Sequence, residues 1–287
     1  MTTPTELTEL TELTELTELT GSTGFTVEPY PGLPLTVRDV GAGRPVLVLH
    51  GGAGPASVSG VVDHFAATSR VLAPTHPGWE DTPRPDWFSG VGDLVETYLD
   101  LLDDRDLRDV LVLGSSFGGW IAAEMAVRDR GRRIGGLVVM GAFGPRLEGH
   151  EVRFPTAPPG QGPGPGEGSG PGEGPGPGEG SGPGEGSGAP APRQGPSPAA
   201  LQALAAYAGP TKSDPKLLHR LARVTVPALA VWGENDTVVP PDYGRAYAAA
   251  IPGARFELIP GAGHLPTRED PEATFAAIDA FLAAAGR

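Results

Sequence analysis

Residues 110–126 read Val110-Leu-Val-Leu-Gly-Ser-Ser-Phe-Gly-Gly-Trp-Ile-Ala-Ala-Glu-Met-Ala126, and this stretch decides the fold. Four consecutive apolar residues, 110–113, are the signature of a strand buried on both faces. The apolar run from Trp120 to Ala126 is long enough and rich enough in Ala to be a buried helix. Between them lies Gly114-Ser115-Ser116-Phe117-Gly118. So abrupt a strand-to-helix turn forces a strained backbone on its middle residue, Ser116. Small residues two positions either side let the neighbouring backbone pass. The turn holds the Ser116 hydroxyl at a helix N-terminus, where the helix dipole favours developing negative charge.

The same alternation extends in both directions. Short apolar runs at 45–49, 71–74, 137–140, 228–232 and 256–259 read as further parallel strands, with an earlier strand near 35–39 pairing antiparallel at an edge. Helical stretches are expected at 58–67, 90–104, 117–130, 242–250 and 271–284. In the last, Phe275, Ile278, Phe281 and Leu282 recur at three- and four-residue spacing, and Asp270-Pro271 fits an N-cap followed by proline. Strand–helix alternation of this kind predicts an α/β domain with a mainly parallel sheet covered on both faces, its site at the carboxyl ends of the strands.

A serine hydroxyl becomes a useful nucleophile only when a base removes its proton. Of six histidines, His264 lies in a flexible Gly-rich loop, 259–266, directly after the last expected strand, and is the candidate base. An imidazole in that role needs an acceptor to fix its tautomer. Asp236, just after the strand at 228–232, supplies it in the chain order Ser, Asp, His. Glu234 and Asp242 are rivals, the first closer to the strand end, the second better suited to capping the next helix. An oxyanion needs preorganised backbone donors. Phe117 N–H is one candidate. Gly52, with Ala53 second, supplies the other from the loop His50-Gly-Gly-Ala-Gly-Pro55. His50 is read as a brace for that loop and His76 as a shaper of the loop after the fourth strand. Trp120 and Phe143 are candidates for the pocket wall or the core.

The 287 residues contain 44 Gly, 33 Pro and no Cys, so disulfides, thiolate metal sites and thiol nucleophiles are excluded. No Gly-Lys-Ser/Thr follows the Gly-rich loop, and no histidine pair has a metal-ligand spacing, so neither phosphate-loop chemistry nor a metal or other cofactor is expected. The net charge of −14 is concentrated in two low-complexity tracts, with no basic patch to suggest nucleic acid. Residues 5–19 are five copies of Thr-Glu-Leu, whose leucines would spiral around a helix, so 1–24 is expected to be a disordered tail. Residues 155–198 hold 16 Gly and 13 Pro and cannot bury enough apolar surface to offset ordering, which predicts a linker inside the chain. No apolar run reaches bilayer length and no signal-peptide pattern opens the chain, so a cytoplasmic protein acting on a small molecule, as monomer or homodimer without membrane contact, is expected.

Taken together, the Gly-rich loop, the His76-Pro77-Gly78 turn, Gly114–Gly118, the segment Gly233-Glu-Asn-Asp236 and the segment Gly261-Ala-Gly-His264 resemble the α/β-hydrolase superfamily over about residues 25–153 and 199–287. The resemblance implies Ser116 as nucleophile, Asp236 as acid, His264 as base, and Phe117 with Gly52 as oxyanion donors. Serine at position 116 departs from the aspartate of epoxide hydrolases and haloalkane dehalogenases. The loop at 50–55 is similar to that of esterases, carbon–carbon bond hydrolases of aromatic catabolism and proline iminopeptidases. An acyl-enzyme acting on an ester-like substrate is the expectation, with carbon–carbon bond hydrolysis by the same residues as the alternative. A non-catalytic ligand-binding homologue, or a protein whose low-complexity tracts carry the function, are the readings from other classes. Where the family inserts a helical lid after the sixth strand, this sequence has the Gly/Pro tract, leaving 198–208 and 215–224 as the helical candidates there.

Overall fold

The structure, a computed structural model, describes residues 24–153 and 197–286. The Thr-Glu-Leu repeats and nearly all of the Gly/Pro tract, for which a disordered tail and linker are expected, lie outside the described residues. Eight strands form one sheet: β1 Gly24–Tyr30, β2 Leu33–Val40, β3 Arg44–Leu49, β4 Ser69–Pro74, β5 Val110–Ser115, β6 Ile134–Met140, β7 Ala228–Gly233 and β8 Arg255–Ile259. Their order is β1-β2-β4-β3-β5-β6-β7-β8. The run β4-β3-β5-β6-β7-β8 is parallel, and β2 is antiparallel to both of its neighbours.

The antiparallel strand expected at 35–39 is therefore present but is not the edge. The edge belongs to β1, folded back on β2 through Pro31-Gly32. Proline sets the first turn position and Gly32 takes φ 77° at the second, the geometry of a tight two-residue reversal. Leu33, Leu35 and Val37 point inward along β2, while Thr36 faces out, so β2 needs a covered face.

The helices are α1 Ser59–Ala66, α2 Val91–Asp104, α3 Phe117–Asp129, α4 Pro198–Ala208, α5 Leu217–Arg220, α6 Pro241–Ala249, α7 Pro266–Glu269 and α8 Pro271–Ala284. Alternation along the central strands sorts the core into two layers. Val46, Val48, Leu111, Leu113, Val138 and Met140 face α1 and α8, where Val61, Phe65, Ile278 and Phe281 close the layer. The opposite face is covered by α3, which packs on β5 and β6, by α2 against α3, and by α6 against β7. Twelve of the thirteen residues of α3 are buried, as the apolar run after Ser116 implies. Asp270 caps α8 by accepting from Ala273 N–H at 3.1 Å. Asp242 does not cap α6; Pro240 occupies that position, and Asp242 lies in the first turn, where its charge complements the dipole. Among the described residues no helix is long and apolar enough to cross a membrane.

Candidate active site

Four loops converge at the carboxyl ends of the parallel strands: those after β3, β5, β7 and β8. The sharpest is the turn from β5 into α3. Ser116 sits there with φ 52° and ψ −114°, outside the regions L-residues normally occupy, a conformation costing on the order of 1–3 kcal/mol. Its glycines are dictated by backbone contacts. A Cβ on Gly118 would strike the carbonyls of Leu49 and His50, and one on Gly114 would strike the backbone of Gly118. Close approach of α3 to β3 therefore exists only with hydrogen at these positions.

The loop after β8 carries His264 back to this turn, with Nε2 3.0 Å from Ser116 Oγ. On its other side, His264 Nδ1 lies 2.8 Å from Asp236 Oδ2. Asp236 is buried, and its second oxygen accepts the N–H groups of Val238 at 2.9 Å and Val239 at 2.8 Å. A carboxylate can only accept, so Nδ1 carries the proton and donates it in the hydrogen bond to Asp236, which leaves the Nε2 lone pair facing the serine hydroxyl. Gly141, just past β6, packs under this pair. A Cβ there would lie 2.9 Å from the His264 carbonyl and 3.3 Å from Asp236 Oδ2. Nothing in the sequence pattern singles out Gly141.

The rival acids serve other ends. Glu234 accepts from Gly261 N–H at 2.9 Å and braces the His264 loop from below its start. Glu269, at the end of α7, grips the same loop around the histidine, accepting from Gly263 N–H at 2.6 Å and Leu265 N–H at 3.0 Å.

The loop after β3 reaches the serine through Gly51, whose Cα direction points at Ser116 Cβ: a methyl there would sit 3.0 Å from it. Gly52 N–H belongs to the same peptide unit as the Gly51 carbonyl. Phe117 opens α3, so its N–H has no preceding helical turn to bond to. Ala53 is exposed, and the Gly52 carbonyl before it accepts from Trp79 Nε1 at 3.0 Å. Thus Ser116, His264 and Asp236 meet directly, Phe117 and the Gly51–Gly52 peptide flank them, and Ala53 lies further out.

Aromatic rings surround this cluster. Phe117 lies 6.1 Å from Trp79, 6.0 Å from Tyr207 and 6.2 Å from Phe143, measured between ring centres. Trp120 packs 5.6 Å from Phe143; all five are buried. Helix α4, at one of the two places where helix is expected after β6, lies over the site. Tyr207 donates to the Pro77 carbonyl at 3.0 Å, and the Leu204 side chain overhangs Gly52. The second such place holds α5 and a 3₁₀ turn, Leu221–Arg223. Among the described residues no group of three or more His, Cys, Asp or Glu side chains is placed to hold a metal ion.

A sequence profile of the alpha/beta hydrolase family matches residues 46–278, and the chain belongs to that family. A 2-hydroxy-6-oxo-2,4-heptadienoate hydrolase of Pseudomonas putida is 36% identical over 123 residues, covering 41% of this chain and 44% of that protein. The match thus spans less than half of that relative's length. A 2-hydroxy-6-oxononadienedioate/2-hydroxy-6-oxononatrienedioate hydrolase of Cupriavidus pinatubonensis is 27% identical over 251 residues, covering 79% of this chain and 83% of the relative. Among solved structures, a thermophilic esterase from Thermogutta terrifontis superposes with TM-score 0.67 at 21% identity over 92% of this chain and 98% of the esterase, a likeness of fold.

Proposed function

We propose that the protein is a serine hydrolase working through an acyl-enzyme on an ester-like carbonyl of a small molecule. The observation that carries this reading is the continuous chain from Ser116 Oγ to His264 Nε2 at 3.0 Å and from His264 Nδ1 to Asp236 at 2.8 Å. In the first half-reaction His264 Nε2 takes the Ser116 proton as Oγ bonds to the carbonyl carbon. The N–H groups of Phe117 and Gly52 hold the oxyanion. Collapse breaks the ester bond, and the proton on His264 passes to the departing alkoxide. A water then repeats the sequence: His264 removes its proton, the acyl–Oγ bond breaks, and Ser116 recovers the proton. The buried Asp236 carboxylate stabilises the imidazolium formed in each half. No cofactor enters this scheme.

The names of the two relatives favour a second substrate class, in which the bond broken joins two carbons. The same residues can attack the 6-oxo carbonyl of a ketonised dienoate, expelling a carbon leaving group stabilised as its enolate. Turnover of p-nitrophenyl acetate compared with a 2-hydroxy-6-oxo-dienoate separates the two classes.

The test of the common core is intact-protein mass spectrometry after exposure to a fluorophosphonate. One adduct on Ser116, absent in Ser116→Ala, is expected. An unlabelled wild-type protein would overturn the reading and favour a ligand-binding homologue.

A further inference from the structure

Behind the loop after β3 lies a buried polar chain that the catalytic scheme does not use. His50 Nε2 accepts the backbone N–H of His76 at 3.0 Å, and His50 Nδ1 lies 2.8 Å from the Gly51 carbonyl. Because a backbone N–H can only donate and a carbonyl can only accept, His50 must be the neutral tautomer with its proton on Nδ1. His76 Nε2 lies 3.0 Å from the His50 carbonyl, which fixes the proton there, so His76 Nδ1 accepts from the hydroxyl of Tyr98 on α2. Burial supports the same assignment: it pushes His50 down to about 4 and His76 well below its ordinary value, so neither ring is charged near neutrality.

The direction of this chain has a consequence at Ser116. In a trans peptide the C=O and N–H point to opposite sides of one rigid plane. The Gly51 carbonyl is held on one side by the His50 ring and by Gly54 N–H at 3.1 Å. Gly52 N–H is thereby turned to the opposite side, in the peptide whose Gly51 end abuts Ser116. Both residues flanking that peptide are glycines, which have no side chain to hold the plane and populate many conformations. The orientation comes from the two groups that hold the Gly51 carbonyl, the His50 ring and Gly54 N–H.

We propose that His50, locked by His76 and Tyr98, is the positioning residue that aims the Gly52 N–H at the oxyanion. This rests on the serine-hydrolase reading above and adds to it the origin of the second oxyanion donor. Tyr98 fixes the His76 ring, His76 fixes the His50 tautomer, and the His50 Nδ1–H fixes the peptide plane.

The experiment compares His50→Leu with His50→Asn in the full chain, using p-nitrophenyl acetate. Both lose the acceptor for His76 N–H, so both lose the same structural link. Only Asn keeps an N–H donor at the Nδ1 position. Removing one oxyanion donor typically costs about 10²–10³-fold in kcat. The expected result is a loss of about 100-fold in kcat for Leu with KM within about twofold, and recovery of at least about tenfold by Asn. The inhibition constant of a trifluoromethyl ketone, whose adduct bears the oxyanion, rises in parallel with the loss, whatever the order of the two melting temperatures. Equal kcat in the two variants, or an unchanged ketone inhibition constant, would overturn the proposal. If His50→Leu does not fold, Tyr98→Phe is the second variant, expected to lower kcat by about fivefold and weaken the ketone in proportion; wild-type values for both would overturn it. Fluorophosphonate labelling of wild-type Ser116 is run alongside. Labelled Ser116 with unaffected variants removes this proposal alone, whereas unlabelled Ser116 removes the serine-hydrolase reading.

Discussion

The Cα of Gly118 faces the carbonyl oxygen of Leu49 with no room between them for a methyl group. That contact joins the first turn of α3 to the end of β3, and so sets the distance between Ser116 and the loop at His50. Gly118→Ala must push two backbone segments apart, since neither partner is a flexible side chain. Destabilisation beyond about 3 kcal/mol is expected, at or above the upper end of ordinary overpacking. Gly60, exposed on α1 with open space at its Cβ position, is the control. Gly60→Ala should stabilise by about 0.5 kcal/mol through helix propensity. Urea unfolding of the two variants measures both.

Asp236→Asn tests the acid separately from the scaffold. The Asn carbonyl can still accept from Val238 and Val239 N–H, so the loop after β7 keeps its two anchoring hydrogen bonds. The amide that then faces His264 Nδ1 donates instead of accepting, which favours the tautomer with Nε2 protonated. A His264 so arranged cannot take the Ser116 proton. A fall of about 10³–10⁴-fold in kcat is expected with a near-native melting temperature. Steady-state kinetics and a thermal scan on the same sample decide it.

How much of this was legible in the sequence follows from the range of each interaction. The turn at Ser116 is a local pattern, strand then Gly-x-Ser-x-Gly then apolar helix, and the structure has β5 and α3 flanking it. His264 and Asp236 stand out in the sequence because each follows a strand that an apolar run marks. The edge strand β1 does not, because its seven residues, Gly24–Tyr30, bury one side chain and carry little hydrophobic signal. The turn dipeptide Pro31-Gly32 is an unused signal from which the reversal could have been read. Tyr98, Gly141 and Glu269 escaped for a different reason. Their roles depend on what a distant or neighbouring loop brings against them, and a tyrosine on an amphipathic helix looks the same whether or not a histidine waits beside it.

Acid should weaken the fold through the histidine pair. His50 is held at about 4 against an ordinary 6.5, and His76 is lowered well below that value; burial is the main cause for each. The groups facing them are Tyr98, Trp79, Phe117 and each other, none of them anionic. As pH falls through 6.5 the unfolded chain binds protons that the folded chain refuses, so stability drops with falling pH. For His50 alone the loss reaches about 3 kcal/mol by pH 4, where the folded ring begins to titrate. The expected observation is a urea midpoint that declines between pH 7 and pH 4.5, with a shallower slope in His50→Asn. A midpoint independent of pH over that window would contradict the buried, neutral assignment.

Leu204 is the side chain through which α4 bears on Gly52, the second of the proposed oxyanion donors. Its Cδ2 lies 3.0 Å from where a Cβ on Gly52 would stand, directly over the peptide assigned to the oxyanion. It is only partly buried and takes no part in the polar contact that anchors α4, which runs from Tyr207 to the Pro77 carbonyl. Leu204→Ala should therefore leave the helix docked while opening space beside the carbonyl. Each additional methylene accommodated by a pocket is worth about 1–3 kcal/mol in transition-state binding. The ratio of kcat/KM for p-nitrophenyl butyrate over acetate is expected to rise by roughly tenfold, chiefly through the butyrate. An unchanged ratio would place the acyl group away from α4, and Tyr207→Phe, which removes the bond to Pro77, would then be expected to lower stability by about 1 kcal/mol without altering selectivity.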